Sequence, residues 1–377
     1  MTDPCSVMHL IRPRPPSEIG GADLHIADLS EAQRAAGNEV AVFSFGVNPP
    51  FAALLRERGV ECVEVPGESL RTWYATVCRA MAERQPNIVH SHGYRADLVA
   101  ALLRWGRHCQ AAHRPALVMS VHGFVRNGLL FRALTRLNEF CLRAADLVVT
   151  TSAEEAARLG AKGLPTVRFI PNGVRPLPDA PRDYLAEQLG VRAARRMLYV
   201  GRLSPEKRPD LFLEAARLLA DRWPDLDFVM IGSGPLEAGV RALAERAGLT
   251  SRTCFAGLRR DVGRLLCGAD VLVCPSDTEG TPRAVIEAMS SGVPVVATRV
   301  GGLPDLIADG TTGVLVPPGV AGPLADAVDE LLAHPEQARR IARAAAEQAR
   351  DNFAIELMEN RTARAYADIH DNTEVVR

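Results

Sequence analysis

The feature that most constrains the fold is the stretch over residues 271–298, whose pattern predicts one βαβ unit. Val271–Cys274 is an uninterrupted apolar run, which is typical of a strand buried on both faces of a parallel sheet. After a loop over 275–280, Thr281 offers an N-cap hydroxyl and Pro282 a first helical residue that has no N–H to lose. A helix over 283–290 and a strand over 294–297 complete the unit.

The same alternation of strand and helix fills the rest of the chain in two series, separated by a proline-rich segment at 176–195. It predicts an α/β protein with two doubly wound, Rossmann-like domains, over 1–178 and 179–350, that face each other across a cleft. Ligands of such sheets bind at the carboxyl ends of the strands. The predicted strands lie at 7–11, 39–45, 60–65, 87–91, 116–121, 147–151 and 166–170, and then at 197–200, 227–231, 253–255, 269–274, 293–297 and 313–316.

The composition excludes several classes of protein. The 377 residues carry a formal net charge of −1, so no strong positive field favours a nucleic-acid partner. The 8 cysteines form no C-x-x-C pair and no metal-ligand spacing, which indicates small core residues in a reducing cytoplasm and no metal site. We expect neither a signal peptide nor a membrane-spanning helix, because no apolar run is long enough.

Two glutamates bracket the helix of the βαβ unit at 271–298. Glu279 precedes it and Glu287 lies two turns into it, about 12 Å further along the helix axis. Between them lies the helix N-terminus, which favours an anion. A nucleotide-sugar has the matching layout, with sugar hydroxyls, a diphosphate and ribose hydroxyls in sequence. The alternative is that both glutamates are solvated surface charges.

Positive charge is expected at the end of another strand of the second domain. Arg202 and Lys207 lie in the loop GRLSPEK, directly after the predicted strand at 197–200, where they could neutralise a diphosphate. A solvated basic loop is the alternative. Gly257, in FAGLRRD, ends a third strand, where backbone groups near Arg259 could pair with a base or simply form a turn.

In the first domain, His122 ends the predicted strand ALVMSVH and precedes Gly123. There an imidazole could hydrogen-bond a sugar hydroxyl or assist charge at the reacting carbon, or it could be a structural hydrogen-bonding residue. His90, His92 and Tyr94, in IVHSHGYRAD, could line the acceptor side or merely satisfy a loop. Gly20 and Gly21 follow the first strand and would let a backbone approach a phosphate closely, although a flexible loop explains them as well.

One helical pattern over 126–143 combines arginines with large apolar residues. A packed helix with exposed arginines is the favoured interpretation. A weak peripheral contact with a membrane surface is the alternative. The arginines are Arg126, Arg132, Arg136 and Arg143.

Assembled in order, these motifs resemble those of the retaining glycosyltransferases of family 4, which have the GT-B fold of two Rossmann-like domains. The resemblance covers nearly the whole chain, and the ordered set is specific although each motif alone is not. It rests on GG after the first strand, HG after ALVMSV, IPNGV before the linker, GRLSPEK, IGSGP, FAGLRRD and EGTPRAVIE, whose glutamates form an E-x7-E pair.

The resemblance implies a role for each matching residue. Glu279 would contact the donor sugar and Glu287 the ribose, while Arg202 and Lys207 would hold the diphosphate. Gly21 and the backbone N–H groups around Gly280, Thr281, Pro282 and Arg283 would help to hold the diphosphate, with no N–H coming from the proline itself. His122 would lie beside the sugar in the reaction centre, and the backbone from Gly257 to Arg259 would contact the base.

The resemblance also implies front-face transfer with retained anomeric configuration, in which the donor phosphate accepts the proton and no metal or other cofactor is required. A last helix, over 351–377, would cross back onto the first domain. Many members have an aromatic-Gly-Leu after the first glutamate, and Gly280-Thr281-Pro282 stands there instead, so the donor sugar stays open.

Three functions are therefore compared. The first is transfer of a hexose or N-acetylhexosamine from a nucleotide-sugar, UDP-linked by expectation, to an acceptor hydroxyl. The others are a non-hydrolysing nucleotide-sugar 2-epimerase and a non-catalytic nucleotide-sugar-binding partner. The location implied is the cytoplasm, including the inner face of the membrane; the acceptor and the oligomeric state are undefined.

Overall fold

The computed structural model describes residues 5–13, 19–106, 114–122, 129–164 and 166–374. The chain forms two compact units, of which the first comprises Met1–Gly173 and Ile355–Arg377 and the second comprises Val174–Ala354. The second unit begins a few residues before the predicted boundary at 178, because the Val174 N–H donates to the Phe353 carbonyl at 2.9 Å. Val174 also forms a β-bridge with Ala354, which ties both ends of this unit together.

The first unit is built on a seven-stranded parallel sheet with the strand order β3-β2-β1-β4-β5-β6-β7. Its strands lie at the predicted places, within a residue or two at their ends. They are β1 Ser6–Ile11, β2 Glu39–Phe45, β3 Glu61–Val65, β4 Ile88–His92, β5 Ala116–Val121, β6 Leu147–Thr150 and β7 Thr166–Phe169. The helices between them are α1 Gly21–Ala35, α2 Pro49–Glu57, α3 Leu70–Arg84, α4 Tyr94–Trp105, α5 Leu129–Leu142 and α6 Ala153–Gly160.

The second unit is built on a six-stranded parallel sheet with the order β10-β9-β8-β11-β12-β13. Its strands are β8 Arg195–Val200, β9 Leu226–Ile231, β10 Thr253–Gly257, β11 Val271–Cys274, β12 Val295–Thr298 and β13 Val314–Val316. Its helices are α7 Tyr184–Leu189, α8 Pro209–Ala220, α9 Glu237–Arg246, α10 Val262–Leu266, α11 Arg283–Ser290, α12 Leu303–Leu306, α13 Ala321–Ala333 and α14 Pro335–Asn352, and a short 3-10 turn covers Pro205–Lys207.

The last helix, α15 (Ile355–Glu374), belongs to the first unit, and it begins after a break at 353–354 rather than at 351. Its residues Met358 and Tyr366 are buried among apolar residues of that unit. Tyr366 also brings its hydroxyl into the interior of the first unit.

Both sheets are covered on both faces, as parallel sheets require. In β8 the alternation of side chains places Met197 and Tyr199 in one apolar cluster and Leu198 in the other. Phe212 on α8 is fully buried in the first of these clusters, and its replacement by alanine would cost about 3–5 kcal/mol. Among the described residues, no helix combines the length and apolarity needed to cross a membrane.

Candidate functional site

The strand order of the second unit defines where a ligand is expected. From β8 the following strands are added on one side of the sheet, up to β10, whereas β11 to β13 are added on the other side. The neighbours β8 and β11 therefore form a topological switch point, which opens a crevice beyond the carboxyl ends of the strands. The loop after β8 contains Arg202 and Lys207, and the loop after β11 contains Glu279. The two predicted loops therefore flank one crevice.

Lys207 and Glu279 form an ion pair across this switch point. The Lys207 Nζ donates to Glu279 Oε2 at 2.6 Å, and the Ser276 hydroxyl donates to Oε1 at 2.7 Å. The Glu279 side chain is only 6% exposed and that of Lys207 is 28% exposed. A carboxylate with a partner on each oxygen is held in one orientation, yet it keeps lone pairs that can accept from sugar hydroxyls.

The Glu279 carboxylate keeps Lys207 protonated. Burial alone would lower its pKa, but the nearby Glu279 carboxylate outweighs that effect and holds the pKa above 10.5. Burial beside Glu279 also raises the pKa of the Cys274 thiol to about 12, so Cys274 is a neutral packing residue rather than a nucleophile. The ammonium uses one donor on Glu279, and the two others can serve a phosphate.

Two glycines fix the loops at the switch point. A Cβ on Gly301 would lie 1.9 Å from the Glu279 carbonyl oxygen, at a backbone φ of +51°. Gly302 donates its N–H to that same oxygen at 3.2 Å. On the other side, a Cβ on Gly232 would lie 1.9 Å from the Gly201 carbonyl oxygen. Only glycine permits these approaches, which lock the positions of both charged loops.

The start of α11 corrects one expectation about its cap. The helix covers the predicted residues, but Pro282 is the N-cap rather than the first helical residue, and no side chain caps it. Thr281 is therefore not the N-cap; it lies one residue earlier and is buried. The extended ψ of 118° keeps Pro282 outside the helix. Gly280 lies in the loop before it, so the helix start faces the Glu279 loop without a side-chain cap.

The second glutamate of the pair occupies the body of α11. Glu287 Oε1 accepts from the Arg283 guanidinium at 3.2 Å, one helical turn away. Both side chains are less than one-sixth exposed, at 13% for Arg283 and 14% for Glu287. Glu287, like Glu279, is therefore not the solvated surface charge of the alternative interpretation.

The remaining residues predicted for the donor lie at the neighbouring strand ends. Arg202 is exposed in the loop after β8, and its carbonyl accepts from the Tyr199 hydroxyl at 2.7 Å. Gly257 ends β10 with φ +64°, and its carbonyl accepts from the Gly232 N–H at 2.8 Å. Arg259 forms a bidentate ion pair with Asp261, at 2.8 and 2.6 Å. Because that guanidinium is already occupied, backbone beyond Gly257 is the better candidate for contacting a base.

In the first unit, His122 follows β5 and belongs to a buried chain of histidines. His122 Nε2 lies 3.2 Å from His92 Nδ1, His92 Nε2 lies 3.0 Å from His9 Nδ1, and His9 Nε2 lies 2.8 Å from Gln33 Oε1. With the Gln33 oxygen as acceptor, each ring donates from Nε2 to the next, and Nδ1 of His122 is a hydrogen-bond acceptor.

A second branch completes this network. The Gln33 amide donates to the Tyr366 hydroxyl at 3.3 Å, that hydroxyl lies 2.7 Å from His90 Nδ1, and His90 Nε2 lies 2.7 Å from Ser120 Oγ. His9, His90 and His92, and likewise His25, His92 and His122, have ring nitrogens close enough for a metal. One ring-to-ring hydrogen bond lies within each group, His9–His92 in the first and His92–His122 in the second.

Burial makes these histidines neutral. It lowers the pKa of His9 and of His122 to about 4, and it lowers the pKa of His90 and His92 well below the usual value, with the neighbouring histidines acting in the same direction. At neutral pH His122 can therefore orient a hydroxyl through hydrogen bonds but carries no charge.

A cavity of about 670 Å³ opens beside this network at the carboxyl ends of β1 and β4. His92 and Tyr94, the residues predicted for the acceptor, both line it, together with Arg12, Glu68 and Arg95. Tyr94 is 52% exposed.

Gly21 begins α1, where an added Cβ would meet nothing within 4 Å. The Asp23 carboxylate accepts the Gly20 N–H at 2.7 Å, so this helix start already carries a negative group. Gly123 and Arg126 lie outside the described residues.

Sequence reasoning missed His9, Gln33 and Tyr366, and it gave His90 and His92 little weight. A signal was present, because His90 and His92 are two residues apart and point to one face of β4. His9 pairs with His90 on the adjacent strand. No pattern within one segment connects these residues to α15.

Two family models match the chain. One, described as Glycosyltransferase Family 4, matches residues 19–176, and one described as Glycosyl transferases group 1 matches residues 186–348. Together they cover both units.

Among curated relatives, the 2-deoxystreptamine N-acetyl-D-glucosaminyltransferase of Streptomyces fradiae is 30% identical, over 87% of this chain and 86% of its own length. A glycogen synthase of Mycobacterium tuberculosis is 28% identical over 93% of this chain and 92% of its own. Among solved structures, Anabaena HepE in complex with UDP-glucose has a TM-score of 0.85 at 22% identity, covering 97% of this chain and 100% of HepE.

Proposed function

Since the chain belongs to family 4 of the glycosyltransferases and has the GT-B fold, we propose that it moves a hexose or N-acetylhexosamine from a UDP-sugar to an acceptor hydroxyl, with retained anomeric configuration. The observation that carries this proposal is the Lys207–Glu279 ion pair at the switch point of the second sheet. HepE binds UDP-glucose in its crystals, which supports a UDP-linked donor here.

In this proposal the donor lies along the crevice between the loops after β8 and β11. Glu279 accepts hydrogen bonds from sugar hydroxyls, while Lys207 and Arg202 neutralise the diphosphate. The start of α11 adds its positive dipole end, and Glu287 binds the ribose. Stabilising the departing diphosphate is the main catalytic contribution of these groups.

His122 is assigned to the reaction centre as a neutral hydrogen-bonding residue. Its low pKa argues against a general acid at neutral pH, because the protonated form would be scarce. We propose instead that the leaving phosphate accepts the acceptor's proton and that His122 orients a hydroxyl.

We further propose that no divalent metal is obligatory, since Lys207 and Arg202 supply the positive charge that a metal would otherwise provide. Transfer rates should be unchanged after treatment with EDTA, and a rate restored only by Mg²⁺ or Mn²⁺ would contradict this part.

The proposal is tested by binding and turnover of a panel of UDP-, GDP- and dTDP-sugars, using calorimetry and release of the nucleoside diphosphate. We expect binding and slow turnover of at least one UDP-sugar, and loss of both in Glu279→Ala and Lys207→Ala. The matched control is Lys162→Ala, because Lys162 forms a 2.6 Å pair with Glu139 in the other unit and is the only other lysine of the chain.

Wild-type turnover in either Lys207→Ala or Glu279→Ala would refute the site. Conversion of the donor sugar into its 2-epimer without acceptor would favour the epimerase. Product NMR would establish whether the anomeric configuration is retained.

A further inference from the structure

The cavity beside the histidine network combines two positive side chains with one exposed carboxylate. Arg12 Nη2 lies 2.5 Å from Glu68 Oε1, and Arg95 Nη1 lies 3.8 Å from Glu68 Oε2. Two guanidinium groups thus share a single carboxylate, and the cavity wall has an excess of positive charge. The Glu68 side chain is 73% exposed, so water screens these pairs and the carboxylate can move away easily.

Arg12 is held more firmly than its partner Glu68, and Arg95 lies at a helix N-terminus. The Arg12 guanidinium lies over the Trp73 ring, 5.5 Å from its centre, and its side chain is 27% exposed. Arg95 lies in the first turn of α4, whose N-cap, Gly93, provides no side-chain cap. The positive dipole end of a 12-residue helix therefore adds to the field of both guanidinium groups at the same wall.

The cavity also has an apolar part and a link to the reaction centre. Phe45 and Val47 line it, which suits the carbon face of a ring. His92 lines it as well and lies within hydrogen-bonding distance of His122. A ring seated there would place one end at the arginines and another near these histidines.

We propose that the acceptor is an anionic sugar, whose phosphate or carboxylate group replaces Glu68 between Arg12 and Arg95. This inference rests on the proposed function, since it identifies the substrate class of the same enzyme. The Glu68 carboxylate lies where the anionic group of the ligand would bind, between the two arginines. Binding is then an exchange of one anion for another on preformed arginines, which spares the ligand the cost of ordering them.

The experiment compares neutral and anionic sugars as ligands. Glucose, glucose 6-phosphate, glucuronic acid and inorganic phosphate are titrated calorimetrically in low salt, with UDP present so that the donor site is occupied. We expect at least one anionic sugar to bind about tenfold more tightly than glucose, the effect of one charge-assisted hydrogen bond. The glucose 6-phosphate and glucuronic acid arms distinguish a phosphate from a carboxylate.

Substitutions identify the residues that cause the preference for an anionic sugar over glucose. Arg12→Gln and Arg95→Gln should each abolish the preference for the anionic sugar, whereas Glu68→Gln should strengthen anion binding. The matched control is the Arg84–Glu61 pair, also exposed and 2.5 Å apart, at the opposite end of β3. Arg84→Gln and Glu61→Gln should leave the preference unchanged. Because Arg12 packs on Trp73, circular dichroism checks that variant, and Arg95→Gln tests the idea without this complication.

Several outcomes overturn the inference. Equal affinity for glucose and both anionic sugars would refute it, as would an equal loss in Arg84→Gln. If anion binding disappears in Lys207→Met but persists in Arg95→Gln, the anion occupies the donor site and the inference is wrong. Binding of UDP by the same protein samples separates this failure from failure of the proposed function, since UDP affinity depends on the second unit.

Discussion

Substitution of Gly301 by alanine is the sharpest test of how the fold positions the candidate catalytic carboxylate. A Cβ at this position would lie 1.9 Å from the Glu279 carbonyl oxygen, whereas real Cβ contacts shorter than 3.0 Å are essentially absent from proteins. The obstacle is backbone, not the tip of a flexible side chain. The Glu279 loop must therefore move by at least about 1 Å, a misplacement that can cost about 100-fold in rate.

Gly310→Ala separates this displacement from ordinary backbone strain. Gly310 has φ +71° against +51° for Gly301, but an added Cβ at Gly310 would meet nothing within 4 Å. Both variants should lose about 1–2 kcal/mol of stability from the left-handed conformation. Only Gly301→Ala should also displace Glu279 and disturb its pair with Lys207.

The assay is kcat/KM for donor turnover, with calorimetric UDP binding and urea unfolding on the same samples. We expect kcat/KM to fall about 100-fold in Gly301→Ala and to stay within about twofold of wild type in Gly310→Ala. If the two variants have the same kcat/KM and similar stabilities, the close approach of Gly301 does not position Glu279, and the reasoning fails.

Three further outcomes are expected. Glu279→Gln removes the charge that keeps the pKa of Lys207 above 10.5, so burial should then lower that pKa. The loss of UDP binding at alkaline pH should therefore move to lower pH, and an unchanged pH profile of UDP binding would contradict the pairing. The pKa of His122 is about 4 in the fold and about 6.5 when unfolded, so the free energy of unfolding should fall as the pH is lowered from 6.5 towards 4, by up to about 1.4 kcal/mol per pH unit for this residue. Urea unfolding should show a shallower pH slope in His122→Gln, and an identical slope in the variant and the wild type would contradict the low pKa. Arg252→Leu should destabilise the second unit by about 2–4 kcal/mol, because the Arg252 guanidinium donates to the carbonyls of Ala220, Trp223 and Leu226. Thermal or urea unfolding measures this loss, and a value under about 1 kcal/mol would contradict the role.

The sequence predicts local structure well where one segment contains its own signals. The run Val271–Cys274 is apolar on both faces, and α11 covers the predicted residues 283–290, because strand burial and helix punctuation are local properties. Parallel strands bring their carboxyl ends to one edge, so Lys207 and Glu279 could be assigned to one crevice before their contact was known.

Contacts between distant segments could not be predicted in this way. The order β1-β4 places His9 beside His90, but the ring contacts and the Tyr366 hydroxyl from α15 depend on side-chain packing across the unit. The Pro282 cap likewise follows from a backbone ψ value that composition does not determine. The Arg12–Glu68 pair joins the ends of two strands that are not adjacent in the sequence.

Each unit presents, at the switch point of its own sheet, a basic side chain that is already paired with a carboxylate. In the second unit the carboxylate of the pair is buried, with Glu279 only 6% exposed, whereas in the first the Glu68 carboxylate is 73% exposed. A ligand that binds at either place therefore adds to an existing ion pair or replaces its carboxylate, and neither cation has to be buried without a partner. Salt screens exposed pairs far more than buried ones, so added salt should weaken an anionic ligand at Arg12 and Arg95 much more than it weakens the Lys207–Glu279 pair. The burial of Glu279 should thus keep the proposed donor site formed over a range of ionic strength, while the exposure of Glu68 should leave the proposed acceptor cavity responsive to the charge of its ligand.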